Sequence, residues 1–153
     1  MIIALLILHG LLAVALLGAI THQTIGVWTP ARGHSGSFVG RMRGVSAPAY
    51  VNAIIVFYLL TFCVGATIYP SYRLNVRIVL EQMQLFKQNG AFELKEHLVA
   101  IGLGMLPAYW YFWRQPLARE HARARACVTL ILAFVVWWSF LVGHVLNNVR
   151  GFE

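Results

Sequence analysis

The sequence predicts an all-α integral membrane protein: a four-transmembrane-helix up-down bundle with a short amphipathic helix on its outer surface. Three observations predict it. Of 153 residues, 59% are hydrophobic and only 11% charged, too little polar surface to solvate a globule. Four apolar segments are long enough to cross about 30 Å of hydrocarbon, which takes roughly 20 helical residues. Lys and Arg are divided unevenly between alternate connections. Strands would leave unpaired edges in lipid, so the segments are helices. The length suits one domain, residues 1–153, and no Ser/Gly/Pro-rich linker divides it.

The first segment runs from Ile2 to Ile20. It lacks a positively charged leading region and its apolar run exceeds a signal-peptide core, so it reads as a retained span. An irregular connection follows, marked by Pro30, Gly33, Gly36, Gly40, Gly44 and Pro48. The second span covers Ala49 to Tyr69. From Val76 to Phe86 the apolar residues Val76, Val79, Leu80, Met83 and Phe86 recur at helical spacing, with Arg77, Glu81, Gln82 and Gln84 between them. This is the amphipathic surface helix, closed by Asn89 and Gly90. The third span, Leu98 to Trp113, is short by apolar count, so its helix begins near Ala91, with Glu93, Lys95 and Glu96 at the interface or inside; Pro107 is tolerated within it. The fourth runs from Cys127 to Val145, led by a basic helical stretch from Arg119 to Arg125. Trp28, Tyr69, Tyr72, Trp110 and Trp113 fit interfacial anchor positions.

Charge sets the orientation. Arg32, Arg41, Arg43, Arg114, Arg119, Arg123 and Arg125 lie on one side, against Arg73, Arg77, Lys87, Lys95 and Arg150 on the other, where Glu81, Glu93 and Glu96 offset them. The positive-inside rule then makes the first set cytoplasmic, with both termini extracytoplasmic, in a bacterial inner membrane. The net charge of +7 is assigned to orientation and anionic headgroups. With the basic residues split between two faces and no binding motif beside them, nucleic acid is excluded as a partner.

Three histidines carry the functional signal. His9, His97 and His144 belong to three different spans, and the alternating directions bring all three to the outer half of the bundle. Ionisable groups at such depths are costly and usually functional, and imidazole is the commonest protein ligand for a metal or haem iron. The favoured cofactor is one b-type haem, ligated by His97 and His144, with His9 as the competing ligand. Gly104, seven residues from His97 and on nearly the same helical face, would let the macrocycle approach the backbone. Arg73, Arg77, Lys95 and Arg150, on the outer side, would face its propionates. A copper or zinc site using all three histidines is a weaker reading, because no HxH or HxxxH spacing is present. His22 lies thirteen residues from His9, but an ideal helix turns the two roughly 140° apart, which disfavours a second haem.

The architecture resembles the small four-helix haem-b anchors of membrane dehydrogenases and hydrogenases in helix count and outer histidines. The resemblance implies a subunit of a larger redox complex, relaying electrons between an extracytoplasmic electron-transfer protein and quinone or a partner cofactor. Glu93, Glu96 and His97 offer a second chemistry, a proton-accepting cluster where a quinol could be oxidised. The bland reading is also open: Asn147 and Asn148 could satisfy His144 locally, and Glu93, Lys95 and Glu96 could form a solvated first turn. In that case the chain is a cofactor-free structural or assembly subunit, docking through the small residues Gly10, Ala13, Ala15, Gly18 and Ala19.

Several classes are excluded. The chain has no Asp, no GxSxG elbow, no HExxH, no P-loop and no dinucleotide fingerprint. Cys63 and Cys127 form no CxxC or CxxCH pattern and read as two buried thiols.

Overall fold

The computed structural model describes residues 1–28, 47–115 and 119–149, and among them it contains helices and no strand. Helix α1 spans Ile2–Trp28. A short 3-10 turn at Ala47–Ala49 leads into α2, Tyr50–Ser71. The chain continues through a π-helical stretch, Tyr72–Arg77, into α3, Ile78–Gln82. Helix α4 is Phe86–Arg114 and α5 is Ala122–Val149. The expectations about Arg32, Arg41, Arg43, Arg150 and the glycines of the first connection lie outside the described residues.

Three helical stretches are long and apolar enough to cross a membrane: Ile2–Trp28, Ala47–Gln82 and Ala122–Asn148. Helix α4 has 29 residues, but Lys87, Glu93, Lys95, Glu96 and His97 occupy its first half and leave a shorter apolar part from Leu98 onward. The surface around these helices is apolar. Ile3, Leu11, Ile101 and Phe134 are 64%, 65%, 56% and 57% exposed, while Gln23 and Thr129 are fully buried. Greasy side chains outside and polar ones inside invert the arrangement water favours, and lipid is the solvent that accepts it.

Two features differ from the sequence reading. The separate amphipathic helix from Val76 to Phe86 is not formed. Its first part continues the second helix, because Val76 and Leu80 stay buried against Leu146 of α5, which holds the chain helical beyond Pro70. The break falls instead at Met83–Leu85, where Gln84 takes a left-handed φ of 57° and the Leu85 amide donates to the Leu80 carbonyl. Phe86, Asn89 and Gly90 accordingly belong to α4. The aromatic residues divide as well. Trp28 and Trp110 are exposed, as anchors should be, whereas Tyr72 and Trp113 are packed inside. Both cysteines are free but exposed, so neither is a core thiol.

Helix α1 packs between α2 and α5, and α4 packs against α5 and more lightly against α2. One apolar cluster draws on all four, with Ile20, Ile54, Leu106 and Leu132 at its centre. Polar bonds fasten the end that carries Trp28 and Arg125. The Tyr109 hydroxyl donates to Gln23 Oε1 at 2.6 Å, and Gln23 Nε2 donates to the Ala47 carbonyl at 3.0 Å. Trp113 Nε1 donates to Thr129 Oγ1 at 3.0 Å, and Trp137 Nε1 to Thr21 Oγ1 at 2.9 Å. Buried Arg125 donates to the Phe112 carbonyl at 3.4 Å. The helical partner of that carbonyl would be the amide of residue 116, a proline with no N–H, so the guanidinium supplies the donor that the sequence withholds.

Candidate functional site

The opposite end of the molecule carries the carboxylates and the three histidines singled out by sequence. His9 turns inward from α1 onto α2. Its ring lies against Gly65, where an added Cβ would meet Cε1 at 3.0 Å, and beside the Thr61 backbone. A side chain at Gly65 would make the imidazole give by a few tenths of an ångström, so the glycine suits the close approach of the ring. Thr61 turns its hydroxyl back to the Phe57 carbonyl at 2.6 Å, leaving it no donor for His9. His9 Nδ1 is buried and has no hydrogen-bond partner among the described residues.

Lys95 reaches the same region from α4, within electrostatic range of His9. Its side chain is only 17% exposed, and its ammonium lies 4.0 Å from the Phe92 ring centroid and 3.9 Å from Glu96 Oε1. That last separation is an ion pair beyond hydrogen-bond reach. The Lys95 ammonium therefore donates no hydrogen bond among the described residues. Burial lowers its pKa below the ordinary lysine value, against a partial pull upward from Glu96. Burial likewise raises the Glu96 carboxyl, against Lys95, His97 and Arg73. Both shifts disfavour the charged forms.

The wall behind Lys95 is fixed by stacking and hydrogen bonds. Phe92 stacks on Tyr72 with centroids 3.7 Å apart, and the Tyr72 hydroxyl donates to Asn89 Oδ1 at 3.4 Å. Asn89 Nδ2 donates to Glu81 at 3.3 Å, and Arg77 joins Glu81 at 2.7 Å and Glu93 at 3.1 Å. This network binds the π-helical stretch and α3 to the start of α4. Arg77 is thereby committed to two carboxylates. Arg73 is held by the Tyr69 hydroxyl at 3.2 Å, with its guanidinium 5.9 Å from that ring.

The other two histidines are exposed, with His97 within electrostatic range of Glu96. His97 is exposed, and its Nδ1 lies 2.7 Å from the Glu93 carbonyl. A carbonyl can only accept, so Nδ1 carries the proton and Nε2 presents its lone pair outward. His144 is also exposed, parallel to Phe140 at 6.3 Å and 3°. The Asn148 amide donates to the backbone carbonyl of His144 and not to its ring. Gly104 is exposed and has no neighbour within 4 Å of an added Cβ, so no element of this chain approaches its backbone closely. Among the described residues no group of three His, Cys, Asp or Glu side chains converges as a metal site. Of the residues chosen from sequence, His9 alone faces the interior; His97, His144 and Gly104 face out, and Arg73 and Arg77 are occupied.

Gly65 and Gly102 are the positions whose importance only the structure brings out, whereas Lys95 was already among the outer-side cations that the sequence offered. The two glycines had no signal, because each is one glycine among several in an apolar helix. No family model, curated protein or solved structure matches the chain.

Proposed function

We propose that the chain crosses a bacterial inner membrane four times as an up-down bundle and serves as a subunit of a larger electron-transfer complex, its chemically active part being the cluster of His9, Lys95 and Glu96. The support for four crossings is the pairing of helix ends: Trp28 meets Ala126, Tyr58 meets Val99, and Trp113 meets Thr129, each joining the late part of one helix to the early part of another or the middles of two. The arginine-rich end is then cytoplasmic and both termini are extracytoplasmic.

One observation carries the reading: His9 Nδ1 is buried with no hydrogen-bond partner among the described residues, and on another helix the mostly buried Lys95 side chain lies beside the Glu96 carboxylate. Ionisable groups kept at that depth mark proton or substrate handling. In the purified complex, His9→Ala and Lys95→Met are expected to lower electron-transfer turnover while the complex still assembles. Unchanged turnover in both variants would remove the assignment.

A b-type haem is the second reading, favoured by the His97 hydrogen bond. A ligating imidazole commonly donates its other ring N–H to a carbonyl, which holds the ring and raises the basicity of the free nitrogen. Because His97 and His144 face outward, such a haem would sit on the outer surface, shared with a neighbouring subunit. A reduced-minus-oxidised Soret and α-band difference that disappears in His97→Ala or His144→Ala is the expected result. A complex without visible absorbance leaves a structural or assembly role, for which Gly10 and Gly18 provide open faces on α1.

A further inference from the structure

The structure assigns a lipid site to the arginine-rich end: Arg125 holds the phosphate of an anionic phospholipid. The inference is independent of the electron-transfer reading and needs only a chain set in a bilayer.

The sequence leaves this end almost without anions. Residues 1–80 contain no Asp or Glu, and residues 97–149 contain Glu120 alone. The Glu120 side chain is 76% exposed, and its carboxylate lies 3.8 Å from His121 Nε2. Arginines at the surface are solvated by water, but Arg125 is buried, with 8% of its surface exposed. Among the described residues no carboxylate lies within ion-pair distance of it. A guanidinium taken out of water without a counter-charge is costly.

The contacts Arg125 does make leave most of its capacity unused. A guanidinium carries five N–H donors. Here Nη1 donates to the Phe112 carbonyl at 3.4 Å, and the central carbon lies 5.5 Å from the centroid of the Trp113 ring. That carbonyl belongs to the last turn of α4, whose C-terminus offers the partial negative charge of a helix dipole, about half a unit. The remainder calls for an anion able to take parallel N–H bonds, and the paired oxygens of a phosphate match the guanidinium fork.

Position selects the source of the phosphate. Trp110 and Tyr111, which precede Phe112 on α4, are 45% and 49% exposed, and the Arg114 guanidinium lies 5.2 Å from the Trp110 ring. Exposed aromatic residues beside arginines mark the depth of lipid head groups, where the phosphate at hand is that of a phospholipid. Arg114 and Arg123 add positive charge at the helix ends that meet here. Their surplus favours a head group with net negative charge over a zwitterionic one.

The test titrates the full chain in dodecyl maltoside with dioctanoyl phosphatidylglycerol, followed by isothermal calorimetry. Saturable one-to-one binding is expected, with dioctanoyl phosphatidylcholine and inorganic phosphate each about tenfold weaker or worse. Arg125→Gln keeps an amide that can donate to the Phe112 carbonyl, and it should weaken phosphatidylglycerol binding about tenfold or more, the scale of one lost charged hydrogen bond. Arg125→Lys keeps the charge and loses the fork, so it should bind several-fold more weakly than the parent. It is the deciding variant if Arg125→Gln does not fold, which thermal midpoints establish. Arg73→Gln, at the other end, should bind as the parent does. Equal affinity for phosphatidylglycerol and phosphatidylcholine overturns the proposal, as does parental affinity in the folded Arg125 variants. Inorganic phosphate binding as tightly as phosphatidylglycerol overturns the lipid as the source, and saturable binding of hexaglutamate with none of the lipid would assign the site to an acidic protein segment instead.

Discussion

The Tyr58 hydroxyl of α2 occupies the space a side chain at Gly102 of α4 would need, and from there it donates to the Val99 carbonyl at 2.8 Å. Val99 and Gly102 are three residues apart on one helical face, so a single tyrosine fixes both the spacing and the rotation of α4 relative to α2. This matters for function because Lys95 lies one turn before Val99. A rotation of α4 at Gly102 would shift the ammonium together with the Phe92 ring beside it, which itself stacks on Tyr72.

Gly102→Ala is therefore expected to destabilise the fold by about 1–3 kcal/mol, the range for overpacking a filled interior. Tyr58→Phe removes the hydroxyl that the new methyl meets. The double variant should consequently lose less than the sum of the two single losses, a coupling that thermal unfolding in detergent would measure through the complete cycle. Strict additivity would mean that the two positions do not share the space described.

Tyr109 and Gln23 form the buried bond that joins α4 to α1 at the arginine-rich end, and both are fully buried. Tyr109→Phe keeps the ring and strands the Gln23 oxygen. A loss of about 1–3 kcal/mol is expected from leaving that group unpaired, and Tyr109→Phe with Gln23→Leu should recover part of it. An unchanged midpoint in Tyr109→Phe would show that the bond contributes nothing.

The Lys95–Glu96 pair predicts opposite pH dependences on its two sides. Burial places the folded pKa of Lys95 below the ordinary value of 10.5, so in the alkaline range just below 10.5 the unfolded chain binds more protons than the folded one. Stability should rise with pH there, and Lys95→Met should abolish the rise. Glu96 has its folded pKa raised above 4.5, so the folded chain holds the extra proton as pH climbs from 4.5. Stability should fall across that interval, and Glu96→Gln should flatten it. Denaturation midpoints across the two ranges, for the parent and both variants, provide the check.

The long apolar segments were legible because run length alone distinguishes a membrane helix, and Ile2–Ile20, Ala49–Tyr69 and Cys127–Val145 all lie within helices of the structure. The region from Val76 to Gly90 was not. Its polar residues resemble a surface helix with its own ends, yet Leu80 and Val76 are held by Leu146, more than sixty positions later in the chain. Pattern within a window of residues carries no record of such a distant contact. His97 and His144 show the same limit. Their depth followed from helix count, whereas their direction did not, because a helix with apolar residues on every side has no stripe to mark its inner face.

Composition and run length were enough to specify a helical chain for lipid, since transfer of apolar surface depends on how much there is and not on which way it faces. The inward turn of His9 onto Gly65 and the exposure of His97 were decided by tertiary structure. Each depends on the rotation of one helix about its axis, and that rotation is set by close contacts such as Tyr58 on Gly102, between residues far apart in the chain.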